Sequence, residues 1–219
     1  MLNKPSKELI EHTANGYNSV ANEWDQTRRQ AWPEVNSYIE KYLKNGQKII
    51  DIGCGNGRAL FMLEKYSDLE YIGIDNSEKL TEKAKTNFPT FSFEYFDGLD
   101  FSKYKKDYYD VALAVAVIHH VPEENVTKWL QDICYTVKTG GIIFITSWDV
   151  LNGKSKEYLD TDNKGLLPFM RYKDIRFVKS YTKEELEKYL IDINLEILES
   201  GYASRESGER NIFIVCQKR

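Results

Sequence analysis

Cysteine is scarce in this chain, and its few residues lie far apart. Cys54, Cys134 and Cys216 are the only three in 219 residues, and they form no Cys-x-x-Cys pair. Without such pairs a zinc site is not expected, and we predict no metal. An odd, scattered set of cysteines is typical of reduced thiols in a cytosolic protein, so we expect a cytoplasmic location.

Long apolar runs and a strong charge of one sign are also missing. The longest apolar run, residues 111–118, is much too short to span a bilayer. Residues 1–13 are polar and charged, and they lack the apolar core of a signal peptide. We therefore expect no membrane partner. The net charge of −4 argues against broad, non-specific nucleic-acid binding, although it leaves room for a local basic patch.

The composition is that of an ordinary globular chain. Hydrophobic residues make up 42% of the chain and charged residues 29%, and the length suits one domain with a substantial core. We predict a single domain over residues 1–219. Residues 1–45 are expected to form an N-terminal helical cap, and residues 150–175 an insert over the cleft.

The most informative stretch is residues 48–58, which read as a buried strand, a glycine turn and the start of a helix. Asp51 ends the strand, and Gly53, Gly55 and Gly57 alternate in the turn. Glycines allow a positive φ and let a ligand approach the backbone closely. Arg58 stands where a dinucleotide fingerprint needs its third glycine, and the Gly-Lys-Ser/Thr of a P-loop is absent.

A second acid follows at the spacing that such a site requires. Residues 71–75 read as the next strand, and they end in Asp75, 24 residues after Asp51. A carboxylate at this place can accept hydrogen bonds from both hydroxyls of a ribose. The alternative is a structural glycine turn with an incidental acidic loop.

The remainder of the chain alternates strands and helices, as open α/β sheets do. The fourth strand is apolar for eight residues, which is typical of a central parallel strand. The predicted elements are a helix capped by Asn76 or Ser77, strands at 91–96, 107–118 and 142–148, a helix from Pro122 that stops at Gly140-Gly141, a helix from a Thr182–Glu185 capping box to Ile191, and closing strands at 195–204 and 211–217 joined by a hairpin turn at 206–209.

Three further groups of residues are candidates for a site. His119 and His120 follow the fourth strand, at the switch point where ligands of such sheets bind. Asp97, beside Gly98, follows the third strand, where it either accepts from an adenine amino group or only forms a turn. Arg28, Arg29 and Trp32 either hold an anion and a flat ring or form a solvated pair beside a packed indole.

The Asp-x-Gly-x-Gly-x-Gly stretch resembles the first motif of class I S-adenosylmethionine (SAM) methyltransferases, and the order of elements resembles that family over nearly the whole chain. The resemblance implies an α/β, Rossmann-like fold. Its seven-stranded sheet is mostly parallel, with an antiparallel last strand and helices on both faces. It also implies SAM as cofactor and S-adenosylhomocysteine as product. The residues expected to bind the cofactor are Tyr17, Asp51, Gly53, Gly55, Gly57, Arg58, Asp75, Asn76, Asp97, Gly98 and Ala116.

A narrower resemblance is to the tRNA wobble-uridine carboxymethyl methyltransferases. It is carried by Tyr17-Asn-x-x-Ala with Gln26-Thr-Arg28 and Trp32-Pro33, by Ala116-Val-Ile-His-His120, by Arg176-Phe-Val-Lys-Ser-Tyr181, and by the closing strand from Glu209 to Arg219. Three features depart from that family: Lys179 replaces a histidine, the insert after the fifth strand is short, and the Gly201–Arg210 turn is longer.

The resemblance implies roles for these residues. Arg28 and Arg176 would grip substrate anions, His119 and His120 would line the transfer site, and Trp32 would contact the base. Tyr17 and Arg58 could contact the methionine carboxylate. The implied partners are a tRNA anticodon loop and a small zinc-ribbon activator protein at the edge of the third strand, where Phe91, Phe93 and Tyr95 are expected on one face. A covering helix over these rings is the alternative.

Two other functions stay open from the sequence. One is a small-molecule O- or N-methyltransferase with the same cofactor site. The other, from a different class, is a non-catalytic SAM-binding subunit that stabilises a partner. Turnover on tRNA, turnover on a metabolite, or binding without turnover would distinguish the three.

Overall fold

A computed structural model describes residues 4–169, 174–205 and 208–219. Its centre is a seven-stranded sheet in the order β3-β2-β1-β4-β5-β9-β8. Neighbours from β3 to β5 are parallel, and β9 is antiparallel to both β5 and β8. The predicted α/β fold is confirmed. The strands are β1 Lys48–Ile52, β2 Glu70–Asp75, β3 Ser92–Tyr95, β4 Tyr109–Val115, β5 Val137–Trp148, β6 Lys164–Pro168, β7 Ile175–Lys179, β8 Leu195–Ser204 and β9 Arg210–Lys218.

Seven α-helices accompany the described strands, and three of them precede β1. Two helix starts were predicted from their caps. The Ser77 side chain accepts from the backbone N–H of Leu80, and Thr182 and Glu185 form a reciprocal capping box. The helices are α1 Ser6–Ser19, α2 Ala21–Thr27, α3 Pro33–Ile39, α4 Leu60–Leu63, α5 Glu78–Asn87, α6 Glu123–Thr136 and α7 Lys183–Asp192.

The core lies on both faces of the sheet, because β4 is apolar throughout its central part. Val111 and Leu113 pack on one face, and Ala112 and Ala114 on the other. The face of α6 that packs on the sheet carries three side chains that are at most 1% exposed: Val126, Leu130 and Ile133. Burial of these side chains is the main term that holds α6 on the sheet.

The predicted stop of α6 at Gly140-Gly141 is wrong. The helix ends at Thr136, and β5 begins at the next residue, Val137. Val137 pairs with Tyr109 of β4, and the register shifts before Val111 pairs with Ile142. Gly140, at φ +78°, lies in the extra residues of β5 at this shift, so the glycines serve the sheet irregularity rather than a helix end. The fourth strand is also shorter than predicted, because 118–120 form a 3-10 turn.

The insert after β5 contains more regular structure than predicted. Two 3-10 turns, Val150–Asn152 and Lys154–Tyr158, precede β6, which pairs antiparallel with β7 in a separate two-stranded sheet. Thr13 on α1 accepts from the backbone N–H of Phe177 on β7 at 3.0 Å, which ties this sheet to the N-terminal helices. Residues 170–173 of the predicted insert, and residues 206 and 207 of the predicted hairpin turn, lie outside the described residues.

At the β3 edge, Phe93 is 5% exposed and Tyr95 is 50% exposed. The predicted apolar face is therefore partly covered, because the ring of Phe93 packs against Tyr71 and beside the glycine turn. No helix within the described ranges is long and apolar enough to cross a membrane. Those ranges also contain no cluster of three side chains suited to hold a metal ion.

Candidate active site

A cavity of about 960 Å³ lies beyond the carboxyl ends of β1, β2 and β4, at the switch point of the sheet. The strands and the loops after them form its floor, and α1 and α2 form its roof. Eleven of the predicted site residues line it: Tyr17, Arg28, Trp32, Gly53, Gly55, Arg58, Asp75, Asn76, Gly98, Ala116 and His120, the last two of which follow β4.

The glycine turn presents its backbone to this cavity. Gly53, Gly55 and Gly57 have φ values of +69°, +57° and +82°, which favour glycine. A Cβ added at Gly55 would project into the cavity, because its nearest neighbour would be Trp24 Nε1 at 4.0 Å. A Cβ at Gly53 would come within 2.3 Å of Val117. The turn thus leaves room for a ligand at Gly55 and for the side chain of Val117, two residues after β4, at Gly53.

The two predicted acids have different surroundings. Asp75 accepts from the backbone N–H of Gly55 and of Ser77, each at 2.8 Å, and it faces the cavity. Burial raises its pKa to about 6. Asp51 accepts from the Tyr71 hydroxyl at 2.7 Å, and burial raises its pKa to about 7. Asp51 is not among the residues that line the cavity, since its side chain turns into the core.

Asp97 is exposed, and its carboxylate accepts from the backbone N–H of Leu99 and of Asp100. The structure thus shows the turn that was the alternative to a contact with adenine, and Asp97 does not line the cavity. Its neighbour Gly98 does. A Cβ at Gly98, where φ is +97°, would lie 2.9 Å from Ile10. Gly57 also lies outside the lining, against the rings of Phe88 and Phe93.

The shape and chemistry of the cavity fit SAM. An apolar part lies beside Asp75 and Gly98 and suits a flat base; it is formed by Ile10, Leu80, Phe96, Val121 and Trp129. Each carboxylate oxygen of Asp75 keeps a lone pair for a ribose hydroxyl. The glycine turn then offers backbone to the polar tail of the cofactor. Arg58 lines the same region, but its guanidinium donates to the carbonyls of Gln30 and Ala31.

A second cavity of about 630 Å³ adjoins the first, and sequence reasoning did not predict it. The two share five lining residues: Trp24, Thr27, Arg28, Trp148 and Arg205. The insert closes the second cavity with Leu167, Pro168 and Phe169. Trp148 ends β5, and its position at a strand end was the signal that could have revealed it.

Four arginines line the second cavity, and they differ in their partners. Arg205 pairs with Glu34 at 2.9 Å, and Arg210 pairs with Asp149 at 2.5 Å. Arg28 and Arg176 form no ion pair with a carboxylate among the described residues. These two cations are therefore available to an anionic ligand.

Both of these arginines lie on aromatic rings. The guanidinium of Arg28 is 3.6 Å from the ring centroid of Trp24. That of Arg176 is 4.6 Å from Trp148 and 4.4 Å from Phe169, and its Nε is buried without a hydrogen-bond partner. Burial lowers the pKa of Arg28, yet the group stays cationic. Cation–π contacts hold each guanidinium, and Arg28 Nη1 also donates to Thr27 Oγ1. The other N–H groups of the two side chains can bind an acid.

The histidines are held in fixed, neutral states. His120 Nδ1 lies 2.6 Å from the Phe177 carbonyl and so donates to it, and Nε2 accepts from the Tyr17 hydroxyl at 3.0 Å. Burial, and the nearby charge of Arg176, lower the pKa of His120 to about 3. His119 stacks on Trp148, is fully buried and lines neither cavity. Burial lowers its pKa too.

Comparisons with known proteins agree with this geometry. The family described as "Methyltransferase domain" matches residues 24–200. The tRNA (carboxymethyluridine(34)-5-O)-methyltransferase of Saccharomyces cerevisiae is 30% identical over 156 residues, which are 71% of this chain and 54% of that protein. The enzyme of the same name in Mus musculus is 31% identical over 164 residues, 71% of this chain and 24% of that protein. The chain thus spans about half of the yeast relative and a quarter of the mouse one.

Solved structures show the same fold. A SAM-dependent methyltransferase of Methanosarcina mazei has a TM-score of 0.70 at 19% identity, over 86% of this chain and 98% of that one. The Burkholderia thailandensis 1,6-didemethyltoxoflavin-N1-methyltransferase, with S-adenosylhomocysteine bound, has a TM-score of 0.72 at 16% identity, over 98% of this chain and 91% of that one. A Haloferax volcanii methyltransferase in complex with the Trm112 activator has a TM-score of 0.69 at 15% identity, over 92% of this chain and 96% of that one. This chain belongs to the family of SAM-dependent methyltransferase domains.

Proposed function

We propose that this protein esterifies the carboxymethyl group of the wobble uridine in a tRNA anticodon. The observation that carries the proposal is the pair Arg28 and Arg176, two cations on aromatic rings without an acidic partner in the described chain. Both lie at the cavity next to the cofactor site. A carboxylate acceptor would supply a negative charge that both guanidiniums can bind, whereas a neutral acceptor would leave both charges uncompensated.

The chemistry asks little of the protein beyond placement. SAM supplies an activated methyl group on a sulfonium, and the protein supplies binding and orientation. A carboxylate oxygen of the acceptor forms the new bond to carbon as the bond to sulfur breaks, and no proton is transferred. The acceptor is already ionised near neutral pH, so no general base is needed. Neutral His119 and His120 agree with this, because neither can hold a proton in that range.

Aromatic residues beside the arginines suit a flipped-out base. Trp24 and Trp148 line both cavities, and Trp32 lines the first. Single-stranded RNA loops are commonly read by stacking unpaired bases on aromatic rings. The overall acidity of the chain is compatible with an enzyme that reads one loop rather than a duplex backbone. His120 serves the site by fixing Tyr17, whose ring lies edge-on to Trp24 and Phe169.

We also propose a small activator partner at the β3 edge and a cytoplasmic location. The structurally similar Haloferax protein forms a complex with the Trm112 activator. Half-exposed Tyr95 lies on β3, which has one free edge. Two buried free thiols, Cys54 and Cys216, suit a reducing compartment. Full activity of the protein expressed alone would contradict the need for an activator.

A small-molecule O- or N-methyltransferase is the second candidate. The Burkholderia structure, which carries 1,6-didemethyltoxoflavin, has the same fold over 98% of this chain. Three aromatic rings in the lining of the second cavity, those of Trp24, Trp148 and Phe169, suit a flat heterocycle of this kind as well. A non-catalytic SAM-binding subunit would bind the cofactor and transfer nothing.

One experiment separates the three functions. The protein is incubated with SAM labelled in its methyl group and with hypomodified tRNA, with and without a Trm112-type activator. Base-labile label in the wobble nucleoside supports the ester. Base-stable label, or label found only in a small metabolite, refutes it. Binding of S-adenosylhomocysteine without transfer to any acceptor would indicate the non-catalytic subunit.

A further inference from the structure

The segment Arg28–Trp32, which joins α2 to α3, has no regular secondary structure, and side chains of the glycine turn hold it. Asn56 Nδ2 donates to the Arg28 carbonyl at 3.1 Å. Arg58 donates from Nε to the carbonyl of residue 30 at 2.9 Å and from a terminal nitrogen to that of residue 31 at 3.1 Å. Two side chains of the glycine turn therefore hold three backbone carbonyls of this segment, those of residues 28, 30 and 31.

A buried acid fixes the amide of Asn56. Asp25, on α2, is 5% exposed, and its Oδ1 accepts from Asn56 Nδ2 at 2.9 Å and from Asn87 Nδ2 at 2.7 Å. Its Oδ2 accepts from Arg29 at 2.5 Å. Since the oxygens of Asp25 receive three donors, Asn56 has one favourable orientation, with its amide nitrogen toward α2. The turn, α2 and the end of α5 meet at this acid.

The held segment carries groups that face both cavities. The guanidinium of Arg28 lies over Trp24, and that of Arg58 lies 4.1 Å from the ring centroid of Trp32. Trp24 and Arg28 line both cavities. The hydrogen bonds of Asn56 and Arg58 therefore link the glycine turn to the segment that carries Arg28 and Trp32, next to Trp24 on α2.

We propose that Asn56 and Arg58 are positioning residues that couple the cofactor site to the acceptor site. A cofactor against the turn at Gly55 fixes Arg28–Trp32 through them, so the acceptor binds the loaded protein more tightly than the empty one. The nature of the acceptor rests on the proposed function. By linkage, the acceptor tightens cofactor binding by the same factor, and such couplings are typically about 5- to 150-fold.

Hydrogen exchange tests the coupling without any acceptor. S-adenosylhomocysteine at saturation should slow amide exchange of peptides covering Arg28–Trp32 about fivefold or more. In Asn56→Asp and Arg58→Ala that slowing should be lost, while exchange in β1 still slows. The double variant Asp25→Asn/Asn56→Asp can restore the bond between positions 25 and 56 with its donor reversed. A carboxylate at position 56 cannot donate to the Arg28 carbonyl, so the slowing should stay lost there as well. The exposed variant Lys85→Ala should match wild type.

Three results would overturn the proposal. The first is exchange of Arg28–Trp32 that S-adenosylhomocysteine leaves unchanged in the wild-type protein. The second is slowing that persists in both single variants. The third is a loss of S-adenosylhomocysteine affinity beyond about tenfold in Arg58→Ala, because it would assign this guanidinium to the cofactor carboxylate instead.

A binding measurement then examines the acceptor. An anticodon stem-loop with 5-carboxymethyluridine should bind wild type more tightly with S-adenosylhomocysteine than without it, and equally in both states for Asn56→Asp. Equal affinity in both states for wild type would refute the coupling. If the stem-loop binds in neither state while the exchange results hold, the tRNA assignment fails and the ordering of the segment by the cofactor stands.

Discussion

Replacing Asp75 by alanine should weaken cofactor binding strongly. The change removes a carboxylate that faces the cavity and accepts from the backbone N–H groups of Gly55 and Ser77. Loss of a charged acceptor from the ribose hydroxyls costs roughly 1.5–3 kcal/mol. That corresponds to about a ten- to hundredfold weaker affinity for S-adenosylhomocysteine, measured by calorimetric titration. Asp100→Ala, an exposed acid on a nearby turn, serves as the matched control.

The pH dependence distinguishes a direct contact from a loosened turn. Burial raises the pKa of Asp75 to about 6 in the free protein. Ribose hydroxyls that donate to the carboxylate favour its charged form, so binding should release a proton near this pH. Wild-type affinity should thus fall as pH drops below about 6 and stay level above about 7, whereas Asp75→Asn should lose this dependence. Unchanged affinity in the alanine variant, or the same pH profile in Asp75→Asn, would refute the ribose assignment.

Three further predictions concern the acceptor and the stability of the fold. Arg176→Ala should lower kcat/KM for a carboxylate acceptor about ten- to hundredfold and leave cofactor affinity within about twofold. The exposed variant Arg219→Ala should change neither quantity. An equal loss in kcat/KM for the acceptor and in affinity for the cofactor would contradict the acceptor role. Asp51 has a folded-state pKa near 7, raised by burial, so its contribution to stability is full below about pH 4 and is lost as pH rises through 7. The melting temperature of Asp51→Asn minus that of wild type should therefore be more positive at pH 8 than at pH 5. The same difference at both pH values would contradict this. Thr182→Ala removes half of a capping box and should cost about 1 kcal/mol, or roughly 2–4 °C in Tm, by thermal unfolding; an unchanged Tm would show that the cap adds nothing.

Local signals in the sequence were enough for the cofactor half of the site. The glycines of the turn, Asp75 at a strand end and the caps at Ser77 and Thr182 are set by residues close together in the chain. Their positions follow from backbone geometry and short-range hydrogen bonds. This part of the fold was therefore predictable.

Long-range contacts decided the rest. A Gly-Gly pair such as Gly140-Gly141 commonly ends a helix, but the pairing between β4 and β5 places these two glycines at a register shift of the sheet. Two roles depended on partners distant in sequence: His119 packs behind Trp148, and Arg58 holds carbonyls of the segment before α3. The aromatic residues around Arg176 come from α1, from the end of β5 and from the position after β6: Tyr17, Trp148 and Phe169. No spacing rule brings such residues together.

The ester itself is the most direct test of the proposed function. Hypomodified tRNA is incubated with SAM and either the wild-type protein or the double variant Arg28→Ala/Arg176→Ala. The tRNA is then digested to nucleosides, which are separated, and their masses are measured by mass spectrometry. We expect wild type to convert carboxymethyluridine at the wobble position to a product heavier by one methyl group. Mild base should reverse the conversion, and the double variant should bind S-adenosylhomocysteine but form little product. A wobble nucleoside that stays unmethylated with wild type and activator present, or a methyl group that survives base, would contradict it.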